Sequence, residues 1–479
     1  MKMKSKNYIW SILLIWASCS QPDKETSILV GSCPNIFPDY VGVTIPYNIA
    51  PLNFSTVAPE EDIKVASFET EGLRFEVKAN KGFIDIPIKK WKTLLEKSKG
   101  DSIAVQITSS KQGQSYSYHP FYIYVSQHPV DRYIAYRLIE PLYALWNEMG
   151  LYQRDLESFK ETPIYENKLT AHNCVNCHSF CSHSAGKMLF HMRGEYNGTV
   201  LIDGNNIEFI DFKAQSGQNM VYPSWHPSGR FIAFSTNDTY QGLHPSQRIE
   251  VYDRSSDIVI CDLKTRKILS PSILSSPNYL ETFPSFSPDG TTLYYCSAST
   301  QTVPDSISKL RYSLCSISFD LDNGSLGQTD TLYNADIQGG SISFPRISPD
   351  GNFLMYTQSQ YATFPIWHND ADLHQIDLRN NQQISLSEIN SEKSESYHSW
   401  SSNSHWVVFS SRRIDGLHTR LYITHIDKKG KASKPFLLPQ KKKDFYKLSM
   451  KSYNIPEFVK DRIPVHQAAK IAQKAKEHK

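Results

Sequence analysis

The sequence predicts a mainly β protein: an N-terminal β-sandwich, a helical connector, then a five- or six-bladed β-propeller. Three observations predict it. One pattern of aromatic, turn and strand recurs four times in the second half. Residues 34–127 alternate short apolar strands with Pro, Asn and Gly turns. Between 131 and 159 the apolar spacing changes. The composition agrees, with 12% aromatic residues, 27 Tyr, 26 Pro and 22 Gly, a balance that favours strands and turns. A chain of 479 residues suits two or three domains.

The recurring pattern is clearest at residues 283–296, Phe-Pro-Ser-Phe-Ser-Pro-Asp-Gly-Thr-Thr-Leu-Tyr-Tyr-Cys, and at 344–357, Phe-Pro-Arg-Ile-Ser-Pro-Asp-Gly-Asn-Phe-Leu-Met-Tyr-Thr. Residues 222–235 repeat it with Pro-Ser-Gly at the turn, and residues 397–410 with Ser-Asn-Ser. Pro presets φ at such a turn and Gly accepts positive φ. A strand ending in Asp follows each copy, as in residues 257–262 and 372–377. Such a unit cannot bury its own faces and must stack on copies of itself, which in radial form is a propeller. These repeats resemble the TolB-type propeller repeat over roughly residues 185–440. Aligning Gly186 with Gly229 puts residues 174–180 in the place of an inner strand, so the propeller is expected over 171–445. That gives five blades, with a sixth available from the chain before residue 174, since the TolB propeller has six.

The other elements follow in order. Residues 34–127 form the β-sandwich, with strands expected at 40–45, 73–78, 103–107 and 121–125 and a short helix at 91–97. Residues 128–170 are the helical connector, because Ile134, Tyr136, Leu138, Ile139, Leu142 and Leu145 fit helical faces broken at Pro141. Residues 446–479 are a polar, basic tail with a helix from Pro464 to His478. Lys441, Lys442 and Lys443 read as a solvated loop.

Residues 1–19 have the form of an export signal. Lys2, Lys4 and Lys6 precede an apolar run too short for a permanent membrane span. Ala17-Ser18-Cys19 resembles a bacterial lipoprotein cleavage box, although Trp16 stands where an aliphatic residue is usual. The resemblance implies that Cys19 carries lipid, that residues 20–33 are a tether, and that the protein is anchored in the cell envelope, at the outer membrane.

Residues 174–178 read Cys-Val-Asn-Cys-His. This resembles the haem-attachment site of c-type cytochromes. The resemblance implies one haem c, joined through Cys174 and Cys177, with His178 as the iron ligand on one side. The alternatives are a CxxC redox pair or half of a zinc site, for which no second ligand pair is evident. For the other side of the iron, the strand after the motif offers His191 first and Met188 second. Their ordinary use is packing in the blade. His172 lies too close in sequence to reach around a porphyrin. Trp225-His226, Trp367-His368 and His398 either pack at the propeller surface or share a ligand pocket at its mouth.

A net charge of +3 with 21% charged residues argues against a nucleic-acid partner. Cys33, Cys181, Cys261, Cys296 and Cys315 are too few and scattered for a disulfide scaffold. No Ser-His-Asp set, phosphate loop or zinc-protease helix is visible, so no catalytic residue is assigned. The expectation is an electron-transfer protein that docks a redox partner or another envelope protein through its propeller. The alternative is an envelope binding or scaffold protein whose haem is structural or sensory.

Overall fold

The computed structural model describes residues 27–57, 62–140 and 147–478. The lipid site Cys19 and the signal sequence lie outside them. Six four-stranded antiparallel sheets follow one another through the chain. The first strands of successive sheets touch around a closed ring, which makes a six-bladed propeller. Blades 2 to 6 begin with the inner strands Val175–Phe180, Met220–Trp225, Tyr279–Phe286, Ser341–Ile347 and Glu395–Trp400. Blade 1 is composite. Its outer three strands are Tyr133–Ile139, Gly150–Asp155 and Glu161–Glu166, and its inner strand is Ser452–Val459, from near the C-terminus. The ring is therefore closed by pairing the two ends of the propeller sequence.

Two expectations are corrected here. The described portion of the helical connector is blade 1, not helix. Ile134, Tyr136 and Leu138 alternate along one strand, a period of two that the helical reading overlooked. Leu142 and Leu145 lie outside the described residues. The propeller also runs from 133 to 459 rather than 171 to 445. The tail expected after 446 supplies a central strand before its helix, Ala468–Glu477.

The N-terminal domain is a seven-stranded mixed sheet with a separate three-stranded sheet. Two of its pairs are parallel: Ile28–Val30 with Gln114–Tyr118, and Thr44–Pro46 with Phe121–Ser126. The helix Ile88–Lys97 buries Trp91, Leu94 and Leu95, and the Trp91 indole donates to the Ile49 carbonyl at 3.0 Å. One apolar core joins this domain to blades 1 and 6, with Phe68 and Trp91 in the same cluster as Tyr136, Trp406 and Phe458. Lys441 is solvent-exposed in a loop, as expected, and there pairs with Asp85 at 2.7 Å. Among the described residues every cysteine is a free thiol.

Candidate functional site

Each of the six inner strands breaks register at one place, and each break holds a residue with positive φ. These are Cys177, Tyr222, Phe283, Phe344, Tyr397 and Ile455, all between 47° and 53°. The next residue is Pro in four blades and His178 or His398 in the other two. Proline suits a bulge because it has no N–H to lose from the ladder. The Cys177-His178 pair of the haem-like motif therefore occupies the slot that aromatic-Pro fills elsewhere.

The positive-φ side chains meet at the centre of the ring. Tyr222, Phe283, Phe344 and Tyr397 form a chain of aromatic contacts with centroids 4.5, 4.1 and 5.1 Å apart. They separate a large opening from a small one. The larger is a cavity of about 760 Å³ whose wall includes Cys174, Cys177, Tyr222, Tyr397, Trp367 and Ile455. The smaller, about 170 Å³, is bordered by Pro223, Pro456, His398, Arg346 and Glu457.

Both thiols of the motif thus border one cavity, although they stand three positions apart along the chain. The bulge accounts for this, since a regular strand would send positions 174 and 177 to opposite faces. Burial pushes the Cys174 thiol above its ordinary range, against the pull of Arg137 and Arg193. Those two arginines and Arg412 also line the cavity. The Nε of each is buried without a hydrogen-bond partner. Arg412 lies over the Trp367 ring at 3.4 Å, and burial lowers its pKa to about 9. Glu140 and Glu195 stand on the same wall.

His178 is 2% exposed, and neither ring nitrogen reaches an aligned partner. Burial, then the charge of Arg137, brings its pKa down to about 3, while the nearby Ile455 main chain pulls weakly the other way. The ring does not belong to the cavity wall. His398 shows what a purely structural histidine does in the same slot: its Nε2 meets the Met355 carbonyl at 2.9 Å. His178 faces the Ile455 main chain in the same way, but neither of its ring nitrogens is aligned for a hydrogen bond.

The structure does not bring His191 or Met188 to this cavity. Alternation along Lys187–Met192 turns Met188 and Met192 into the core shared with blade 1. His191 turns toward blade 3, 5.7 Å from Phe234, with Nδ1 2.8 Å from the Thr199 hydroxyl. On this second strand, therefore, Met188 and His191 face the neighbouring blades and not the mouth. The residues that do reach it are His172, set aside in the sequence reading, and Met149, which that reading missed. His172 has φ of 54° and places Nδ1 2.7 Å from the Asn147 carbonyl. The Met149 sulfur accepts from the Val175 N–H at 3.1 Å.

The remaining histidines do not share one pocket. His226 is held between Gly290 O at 3.0 Å and the Ser228 hydroxyl at 2.7 Å, which is packing. Trp225 and His398 border the small opening, and Trp367 the large one. The three arginines were also missed, because their meeting depends on blade 1.

No known protein-family model matches the chain, and no curated protein does. The chain is structurally similar to TolB from Acinetobacter baumannii, at 14% identity and a TM-score of 0.43, over 78% of this chain and 85% of that one. It is similar to a puromycin-hydrolysing peptidase of Mycobacterium tuberculosis at 12% identity and a TM-score of 0.37, over 83% of this chain and 57% of the peptidase. It is also similar to an oligogalacturonate lyase from Vibrio parahaemolyticus at 10% identity and a TM-score of 0.32, over 59% of this chain and 85% of the lyase. The six sheets themselves, rather than these distant likenesses, establish the propeller.

Proposed function

We propose that the chain is a single-haem c-type protein of the cell envelope. One haem would be joined through Cys174 and Cys177 at the large mouth of the propeller, where a redox partner docks. One observation carries the reading. Both thiols of the motif border a single cavity that also presents three guanidinium groups with buried, unpartnered Nε atoms. A haem bears two carboxylates, and arginine is the side chain best matched to carboxylate. Arg137, Arg193 and Arg412 would hold them. The ring nitrogens of His178, neither aligned with a hydrogen-bond partner, suit an iron ligand. To serve, that ring must come through the bulge to the cavity wall, and the Cys177 peptide is the joint. Bound haem would supply one-electron transfer, with its potential set by burial and by the second ligand. His172 and Met149, already on the wall, replace His191 and Met188 as candidates for that position.

The same arginines favour a second reading, an envelope binding protein that captures an anionic ligand at the propeller mouth. Haem staining after denaturing electrophoresis separates the two. Protein made in cells that mature c-type cytochromes should stain and give the spectrum of a two-thioether haem. A Cys174→Ser, Cys177→Ser double variant should do neither. Equal haem in that variant, or none in the parent, would refute the cytochrome reading.

A further inference from the structure

A second cluster of metal-competent side chains lies away from this cavity, where the N-terminal domain meets blade 6. His128 belongs to the segment that leaves the N-terminal sheet. His405 precedes the strand Trp406–Ser411, and His425 ends the strand Arg420–His425. One ring nitrogen from each lies within 4.8 Å of the others, and all three residues are half-buried. The three rings are nearly parallel. Those of His128 and His405 stack at 3.5 Å, and His425 stands 6.1 and 6.0 Å from them.

We propose that His128, His405 and His425 form a zinc site that clamps the N-terminal domain to the propeller. Imidazole nitrogens suit zinc, and three of them leave one position open for water. The hydrogen-bond geometry suits it too. His405 Nδ1 lies 3.3 Å from the Ile426 carbonyl, which can only accept, so a hydrogen bond there places the N–H on Nδ1 and leaves Nε2 for a metal. A metal-bound histidine is commonly oriented through its other nitrogen in this way. The Nε2 of His425 is buried with no hydrogen-bond partner. Simple ring packing leaves that atom unsatisfied, and a metal would satisfy it.

The scaffold around the cluster is already tied. The Ser402 N–H and hydroxyl both donate to Asp131, at 2.7 and 2.6 Å, and the Asn403 amide donates to the Pro129 carbonyl at 2.6 Å. These bonds fix the His128 segment against the turn that carries His405. Donor nitrogens in a tetrahedral site with bonds of about 2.0 Å stand about 3.3 Å apart, so side-chain rotation of an ångström or so completes the set.

The test uses the full chain without a polyhistidine tag, in the Cys174→Ser, Cys177→Ser background, so that the motif thiols and covalent haem contribute no signal. After chelator treatment, equilibrium dialysis against zinc should restore one zinc per chain and raise the unfolding temperature. His405→Gln should weaken zinc binding at least tenfold. His128→Asn, on the linker outside blade 6, should do the same without depending on how that blade tolerates change. Two results would overturn the proposal: no zinc retained by the parent that lacks both motif thiols, or undiminished zinc in a folded His128→Asn variant.

Discussion

Gly290 and Gly351 close equivalent turns in blades 4 and 5, yet substituting them should have unequal costs. Both sit at nearly the same positive φ, 77° and 76°. A Cβ at Gly351 would meet nothing within 4 Å, whereas one at Gly290 would stand 2.3 Å from the Nε2 of His226. Gly351→Ala therefore carries only the backbone penalty, about 1 kcal/mol. Gly290→Ala carries that penalty and expels the His226 ring. The ring loses its 3.0 Å contact with the Gly290 carbonyl and shifts against Phe286 and Phe319, whose centroids lie 5.1 and 5.4 Å away. A lost buried hydrogen bond and disturbed packing add about 1 kcal/mol each, for a total of ~3 kcal/mol. Urea denaturation followed by tryptophan fluorescence measures both variants. Combining Gly290→Ala with His226→Ala should cost less than the sum of the two, because the expelled ring is then absent. Equal costs for Gly290→Ala and Gly351→Ala, or strict additivity in the double variant, would refute the inter-blade contact.

Acid should weaken the fold through its buried histidines, His191 and His398 among them. Burial lowers His191 and His398 from 6.5 to about 3. The unfolded chain therefore binds more protons than the folded one between those values, and stability present above pH 6.5 falls as the pH drops toward 3. At pH 5 each of the two should have removed about 2 kcal/mol, so between pH 8 and pH 5 the His191→Gln variant should lose about 2 kcal/mol less stability to urea than the parent; an equal loss would refute it. Cys19→Ala should abolish fatty-acid labelling and release the protein into the soluble envelope fraction, whereas unchanged labelling would place the anchor elsewhere.

The aromatic-Pro and Pro-Asp-Gly marks were legible because they are local: each records a bulge or a turn within one hairpin. Blade 1 was not, because its inner strand comes from the far end of the chain. Tyr133–Ile139 pairs with Ser452–Val459 across more than three hundred residues, as in Leu138 with Tyr453. Its bulge also uses Ile455-Pro456, without the aromatic that marks blades 3 to 6. The apolar spacing at Ile134 and Leu138 fits a helix and a strand equally, and Tyr136 between them decides for the strand. The thiols were legible as a motif, but their shared cavity was not, since alternation alone separates them and only the bulge reunites them. The histidine cluster had no local signal, because His128 joins His405 and His425 only through domain packing.

The large cavity opens where an otherwise repetitive ring departs from its aromatic pattern. Four of the six axial slots hold aromatic rings that pack in sequence from Tyr222 to Tyr397. Ile455 and Cys177 fill the remaining two. The cavity touches Tyr222, Tyr397, Ile455 and Cys177 but not Phe283 or Phe344, so it opens on the side where the smallest of the six side chains stands. Cys177→Phe would restore the common pattern. The backbone there already tolerates phenylalanine, since Phe283 and Phe344 hold the same φ within a few degrees. The variant should fold and stay within about 1 kcal/mol of Cys177→Ser, as gained apolar burial offsets crowding. Both variants lose a thioether, but only the phenylalanine fills space. Haem added to the purified proteins should therefore bind non-covalently to Cys177→Ser and not to Cys177→Phe. Equal binding by the two would show that the haem occupies some other surface, and that the missing aromatic does not make the pocket.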